Sequence, residues 1–451
     1  MSGNASVGPF ILSDTTVVGR QVHLHYLFGN THEFTEVIEF DCDLPQSSQP
    51  EFGDFDRAVR VLHLLAGVSY YKSFAPTVIE TPLLNSAERA LVLAMYDKGL
   101  REFAYRNDLP VPLPVQLVER SGIATAESVD RPTERSGALV PVGGGKDSAL
   151  VADLVPEAVL MAVNPKGAHL HLAEHLGRPL VSVKRTLDPQ LRELVAAGAL
   201  NGHVPVTAIN SAIAVILAVL LNRRDVLMGL ERSASEPSLV IPSSLTSPDG
   251  TSPAGTEVNH QYSKSAEAEQ LLQAVFDPIG VRYFSLLRPM TELAIGRSVA
   301  TRGLAADIVS CNRAFTLWNE NESSRTQRPC GDCAKCLFTA LMLAPSLTPE
   351  QINDQFGRDL LNEAAHLDPV RELWSSAKPF DCVGERHESA AAVALLAELP
   401  QWQMQLIPAE LYEEALQVLG EVAATPGEFL HIDSVTGLPL EYQQMISDLE
   451  R

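Results

Sequence analysis

From Val22 to Leu27 apolar and polar side chains alternate, and they alternate again from Phe34 to Phe40, with Gly29, Asn30 and Thr31 between the two runs. Period-two alternation on both sides of turn residues predicts a β-hairpin, with strands over 17–27 and 34–40. The period then lengthens to that of a helix over 55–65, and a second helix is expected over 87–107. Prolines at 110, 112 and 114 break the pattern, and the polar stretch 120–137 reads as a linker. Beyond it, short apolar runs (139–142, 158–163, 179–183, 225–230) alternate with helical spacing (149–154, 169–176, 187–199, 207–221). Strands alternating with helices imply a parallel sheet with helices on both faces. After residue 344 the spacing is mainly helical (349–361, 370–375, 390–399 and from 406 onward). The expected organisation is an α+β region over 1–135, a doubly wound parallel α/β domain over 136–343, and a helical extension over 344–451.

Composition adds limits rather than elements. The chain of 451 residues is 45% apolar and 20% charged, the balance of a soluble globular protein. The apolar stretch 209–221 is interrupted by Asn210 and Ser211 and is too short to span a bilayer, so no membrane insertion is expected. Met1 to Gly8 lacks a basic start and an apolar core, so the chain is expected to be cytoplasmic. A net charge of −22 argues against general binding of nucleic acid. Six cysteines in such a chain suit thiols or metal ligands better than a disulfide framework.

The chemistry concentrates where strand gives way to helix. Gly143-Gly144-Gly145-Lys146-Asp147-Ser148 follows one apolar run and opens a helix, an arrangement that presents backbone N–H groups and a positive dipole to a phosphate. It lacks the spacing of a Walker loop. It resembles the S-G-G-x-D-S loop of the PP-loop ATP pyrophosphatases, with Gly143 where that family has serine. At the end of the run 225–230, Glu231 and Asp147 are candidates for holding magnesium (Mg2+) against phosphates, and Arg232 for pairing with a phosphate or carboxylate. The alternative is a solvated ion pair. The run Asn259-His260-Gln261-Tyr262-Ser263-Lys264-Ser265 is dense in hydrogen-bonding groups and is read as substrate-facing, and the Ser- and Pro-rich stretch 242–255 before it as a mobile flap. Tyr70, Tyr71 and Lys72 invite a substrate role, but core packing of the aromatics is the preferred reading. Cys330, Cys333 and Cys336 have C-x-x-C-x-x-C spacing, with Cys311 upstream as a fourth thiol, and suit a structural zinc (Zn2+). The 7-cyano-7-deazaguanine synthase branch of the PP-loop enzymes has a similar cluster. Cys382, Glu385, His387 and Glu388 are candidates for acid or base work, set against a capping role for Glu388 and Ser389 at a helix start.

Taken with Phe28-Gly29-Asn30, the stretch Ala66 to Lys72, Tyr283 to Pro289, and Asp381 to Glu385, these motifs resemble the UDP-N-acetylmuramoyl-L-alanyl-L-glutamate epimerases over nearly the whole chain. That resemblance implies inversion of the terminal glutamate of a nucleotide-linked dipeptide, a cell-wall precursor, with ATP and magnesium, releasing AMP and pyrophosphate. In that setting the Gly143, Gly144, Gly145 and Ser148 loop would bind pyrophosphate and Lys146 would stabilise charge on it. Asp147 and Glu231 would hold magnesium, while Arg232, Asn259, His260, Tyr262 and Lys264 would contact substrate. Lys264, Cys382 and His387 are the acid/base candidates. A PP-loop amide-forming or thiolating ligase, and a binding module that responds to ATP without turnover, are the alternatives.

Overall fold

Val22, Leu24, Tyr26 and Phe28 are fully buried, so strand β2 has one face wholly in the core, as its alternation requires. The computed structural model describes residues 8–120, 134–242, 255–311 and 328–450. Residues 243–254 of the expected flap and 121–133 of the expected linker lie outside them. The strands are β1 (Phe10–Val18), β2 (Gln21–Phe28), β3 (His32–Phe40), β4 (Val78–Thr81), β5 (Gln116–Glu119), β6 (Ala138–Pro141), β7 (Val159–Val163), β8 (Leu180–Thr186), β9 (Asp225–Met228), β10 (Leu239–Ile241), β11 (Thr256–Val258) and β12 (Arg282–Ser285). Ten of them form one sheet in the order β12-β9-β6-β7-β8-β3-β2-β1-β4-β5, and β10 pairs with β11. The class is α/β as expected, but the sheet is mixed: β1–β4, β4–β5 and β6–β9 are parallel, whereas β1–β2, β2–β3 and β3–β8 are antiparallel.

Three expected elements take a different form. The run 17–27 is not one strand: a turn at Gly19-Arg20 divides it, and the hairpin becomes a three-stranded meander with β1. A register shift between Leu12 and Thr15 breaks the alternation of β1, which is why its pattern is weak in the sequence. The expected helix 87–107 is divided at Asp97 into Ser86–Tyr96 and Arg101–Arg106, joined by a 3-10 turn. The helix expected over 187–199 is only Gln190–Ala196, because β8 continues through Arg185 to Thr186. Arg185 is buried there and its guanidinium donates to Glu36 at 2.7 Å and to Ser69 at 3.0 Å, so a charged pair stands where the pattern shows a polar stretch.

The chain divides into two compact units. The first comprises Met1–Leu139, Val181–Val226 and Ile241–Phe284; the second comprises Val140–Leu180, Leu227–Val240 and Ser285–Arg451. In the first, the helices Phe52–Ala66 and Val206–Leu220 pack together, and the latter buries Ile209 to Val219 almost completely. Tyr70 and Tyr71 are core residues, with the Tyr70 ring stacked on Tyr26 at 5.1 Å. In the second, the helices Lys146–Leu154, Glu292–Thr301, Ala334–Leu343, Arg386–Glu398 and Leu406–Gly420 supply most of the core. Among the described residues no helix is long and apolar enough to cross a membrane.

Candidate functional site

The glycine loop of the second unit is a strand-to-helix turn. Gly144 has φ +78°, Gly145 caps the helix Lys146–Leu154 in extended conformation, and Val309 N donates to Gly144 O at 2.7 Å. The Ser148 hydroxyl is engaged within the loop: it accepts from Gly143 N at 3.0 Å and donates to Gly145 O at 3.3 Å. Gly229, just beyond β9, admits the first turn of this helix, since a Cβ there would lie 2.8 Å from the carbonyl carbon of Asp147.

Lys146 is not a mobile surface charge. It is 3% exposed and ion-paired with both Asp147 and Glu292. Burial works against its charge, but Asp147, Glu292 and Glu231 outweigh that and hold its pKa above the ordinary lysine value. Glu292 carries the opposite shift. Burial first, then the like charges of Glu231 and Asp147, overcome Lys146 and push its carboxyl up to about 7. Glu292 opens the helix Glu292–Thr301 behind the Thr291 cap, and the Ser233 hydroxyl reaches its Oε1 at 3.4 Å. No motif marked Glu292 in the sequence; its only signal is a carboxylate one residue after a helix-capping threonine.

Arg232 gathers the carboxylates of the C-terminal region. Its Nε and Nη2 donate to the two oxygens of Glu385 at 3.2 Å each, its Nη1 donates to Asp433 at 2.8 Å, and Glu388 Oε1 lies 3.7 Å away. Glu388 does not cap its own helix. It is fully buried and its Oε2 accepts from the backbone N–H of Glu292 at 2.9 Å. Burial, together with Glu385 and Glu292, raises its pKa well above the carboxylate range. The Asp381–Glu385 turn lies against the same cluster: a Cβ on Gly384 would sit 2.8 Å from Glu292 Cγ. Cys382 in this turn is half-buried with φ +52°, and its carbonyl accepts from Lys335 Nζ at 2.9 Å. His387 lies in the first helical turn beyond, with Nε2 buried and without a hydrogen-bond partner.

The structure therefore brings Lys146, Asp147, Glu231 and Arg232 together with Glu292, Glu385 and Glu388. The carboxylates outnumber the two cations, and the buried Glu231 Oε2 has no hydrogen-bond partner. Asp147 and Glu292 are already ion-paired with Lys146, and among the described residues Asp147, Glu231 and Glu292 do not converge closely enough to form a ligand set for one ion.

The cysteines form a second group in this unit. Cys311, Cys330, Cys333 and Cys336 have all four Sγ atoms within 4.8 Å of one another, with Cys330–Cys336 at 3.8 Å and Cys333–Cys336 at 3.5 Å. Four thiolates bound to one ion at roughly 2.3 Å stand close to those separations, so the group fits a structural metal. Hydrogen bonds among the thiols couple the group: those from Cys333 and Cys336 pull Cys311 down, and Cys311 in turn pushes Cys333 and Cys336 up.

The run Asn259 to Ser265 belongs to the first unit and is not a solvent-facing loop. His260, Gln261, Tyr262, Ser263 and Ser265 are buried. Asn259 Oδ1 accepts from Gln261 N at 2.7 Å, Lys264 Nζ donates to Gln261 Oε1 at 3.2 Å, and Ser265 caps the helix Ala266–Phe276. Tyr262 lies under Lys98, whose Nζ is 5.8 Å from the ring centroid. His260 Nδ1 is hydrogen-bonded to Glu102 Oε2. The His203 ring lies tilted against that of His260, and its pKa is pushed down to about 3, by burial first and then by His260. Glu102 and His203 carry no local motif and come from distant parts of the chain.

Two family models match the chain: one described as the MurL N-terminal domain over residues 10–286, and one described as the MurL C-terminal domain over residues 307–425. Curated relatives named UDP-N-acetyl-alpha-D-muramoyl-L-alanyl-L-glutamate epimerase come from Salinispora tropica, Micromonospora sp. and Xanthomonas oryzae pv. oryzae. The first is 41% identical over 408 residues, covering 88% of this chain and 85% of the relative. The second is 40% identical over 408 residues, covering 88% and 87%. The third is 37% identical over 389 residues, covering 80% and 82%. No solved structure matches the chain.

Proposed function

Because the chain belongs to the MurL family, we propose that it inverts the terminal L-glutamate of UDP-N-acetylmuramoyl-L-alanyl-L-glutamate to D-glutamate in the cytoplasm, with ATP and magnesium as reactants and cofactor. The observation that supports adenylation is the glycine loop that leads into Lys146, with Asp147, Glu231 and Glu292 gathered around that lysine.

The chemistry begins at the α-carboxylate of the terminal glutamate. One of its oxygens attacks the α-phosphorus of ATP, the bond to the β-phosphate breaks, and pyrophosphate leaves. The acyl adenylate has lost the carboxylate charge, so removal of the α-proton places the electron pair on a carbonyl oxygen that donors can stabilise. A base takes this proton on one face and a conjugate acid returns one on the other. Water then attacks the acyl carbon, and AMP departs as the carboxylate reforms. Magnesium supplies neutralising charge on the phosphates. In the PP-loop reading, the backbone N–H groups of Gly144 and Gly145 would face pyrophosphate and Lys146 would oppose its developing charge, with the Gly143 N–H held by Ser148 within the loop. Arg232 is assigned to substrate, and Cys382 and His387 to proton transfer. The cysteine group is assigned to structural zinc.

Incubation with ATP, magnesium and the L-glutamyl substrate in heavy water tests this. AMP formed together with α-deuterated D-glutamyl product is the expected result. AMP without deuterium at the α-carbon overturns the epimerase reading in favour of a ligase, and no AMP overturns the adenylation.

A further inference from the structure

The first unit contains a donor set that the epimerisation scheme does not use as such. Glu102, His203 and His260 each present one ligand atom, and these atoms lie within 4.8 Å of one another. The three residues come from the helix Arg101–Arg106, from the segment before the helix Val206–Leu220, and from the turn before Tyr262. The imidazole rings of His203 and His260 face each other, with centroids 4.3 Å apart and planes inclined by 40°.

We infer that Glu102, His203 and His260 form a second metal site, which takes a zinc-class divalent ion through two imidazoles and one carboxylate. The carboxylate is oriented for this. Arg106 Nε donates to Glu102 Oε1 at 2.8 Å and so turns Oε2 toward His260. Such outer contacts fix the direction of a metal ligand. Glu102 and His260 are buried and His203 is half-buried. Imidazole nitrogens and a carboxylate oxygen bind zinc at roughly 2.0–2.2 Å, so an ion would replace the proton that His260 Nδ1 and Glu102 Oε2 share and spread those two atoms apart. Two imidazoles and one carboxylate leave the fourth position of a tetrahedral ion for water or substrate. The nearby ammonium groups are otherwise engaged: Lys72 Nζ donates to Asn201 Oδ1 at 2.6 Å and to Gly202 O at 3.0 Å, and Lys264 Nζ donates to Gln261 Oε1. The inference is independent of the epimerase reading, because metal content is measured without turnover.

The test loads full-length protein with zinc, removes excess by desalting and counts bound metal by elemental analysis, for the wild type, His203→Ala and Glu102→Gln. Both variants are expected to hold about one equivalent less than the wild type. Cobalt loading separates this site from the thiol group. The wild-type-minus-variant spectrum should show weak visible bands without the intense sulfur-to-metal absorption, and that absorption should persist in both variants as a sign that they remain folded. Glu102→Gln keeps the shape of the side chain, so the test stands even if His203→Ala perturbs folding. Equal metal content in all three proteins, or a difference spectrum of zero, overturns the proposal.

Discussion

Glu292 is a buried carboxyl whose protonation responds to pH near neutrality. Its carboxyl ordinarily titrates at 4.5 and is pushed up to about 7 in the fold. The folded state therefore holds a proton more firmly than the unfolded chain, so this group contributes stability that is fully present below pH 4.5 and lost as pH rises through 7. Glu292→Gln should flatten the fall in stability across that window, by up to roughly 3 kcal/mol. Denaturant melts at several pH values check this, and parallel curves for variant and wild type would remove Glu292 from the account. At Cys382, replacement by Ala should leave AMP formation intact and abolish α-deuteration; deuterium exchange at the wild-type rate would clear this thiol of proton transfer. Lys146, Asp147, Glu231 and Arg232 stand out in the sequence because each lies within a short motif at a strand end. Glu292, Glu102 and His203 do not, because their partners are far along the chain, and a contact across such separations leaves no periodic or spaced signature. Burial also changes what a residue is: Lys146 reads in the sequence as a charge set against pyrophosphate and is a buried one held by two carboxylates.

Among the elements, the helix Lys146–Leu154 depends on a residue outside it. Gly229 allows the Asp147 backbone to approach the end of β9, and a methyl group there would meet the carbonyl carbon at 2.8 Å. Gly229→Ala should therefore displace Asp147, destabilise the protein by about 1–3 kcal/mol and depress AMP formation more than roughly tenfold. Unchanged turnover with unchanged melting would show that the helix can move without consequence. The helices 55–65 and 207–221 and the strands 34–40, 158–163 and 225–230 were legible because their apolar periods are long or uninterrupted. β1 was not, since its register shift and its polar run Ser13 to Thr16 erase the alternation. The order of β8 beside β3 was not legible either, for strand neighbours depend on pairing that one strand's pattern does not encode.

For the molecule as a whole, the cysteine group ties sequence-distant segments of the second unit to one point. The helix that begins beyond Cys333 also carries Lys335, which holds the Cys382 carbonyl, and Phe338, which lies against Gly384. Chelation of the metal, or Cys333→Ser, should lower the melting temperature and slow α-deuteration together; a stable, fully active protein after metal removal would exclude the structural role. The partners of Arg232 set a further constraint, one of timing. Glu385 is 153 residues beyond Arg232 in the chain, and Asp433 is 201 beyond. At roughly 5–20 residues per second, a ribosome delivers Glu385 about 8–30 s after Arg232. Throughout that interval the nascent chain carries the guanidinium without Glu385, Glu388 and Asp433, the carboxylates that enclose it. This half of the cluster is thus a late product of synthesis, and a polypeptide released before Glu385 lacks it.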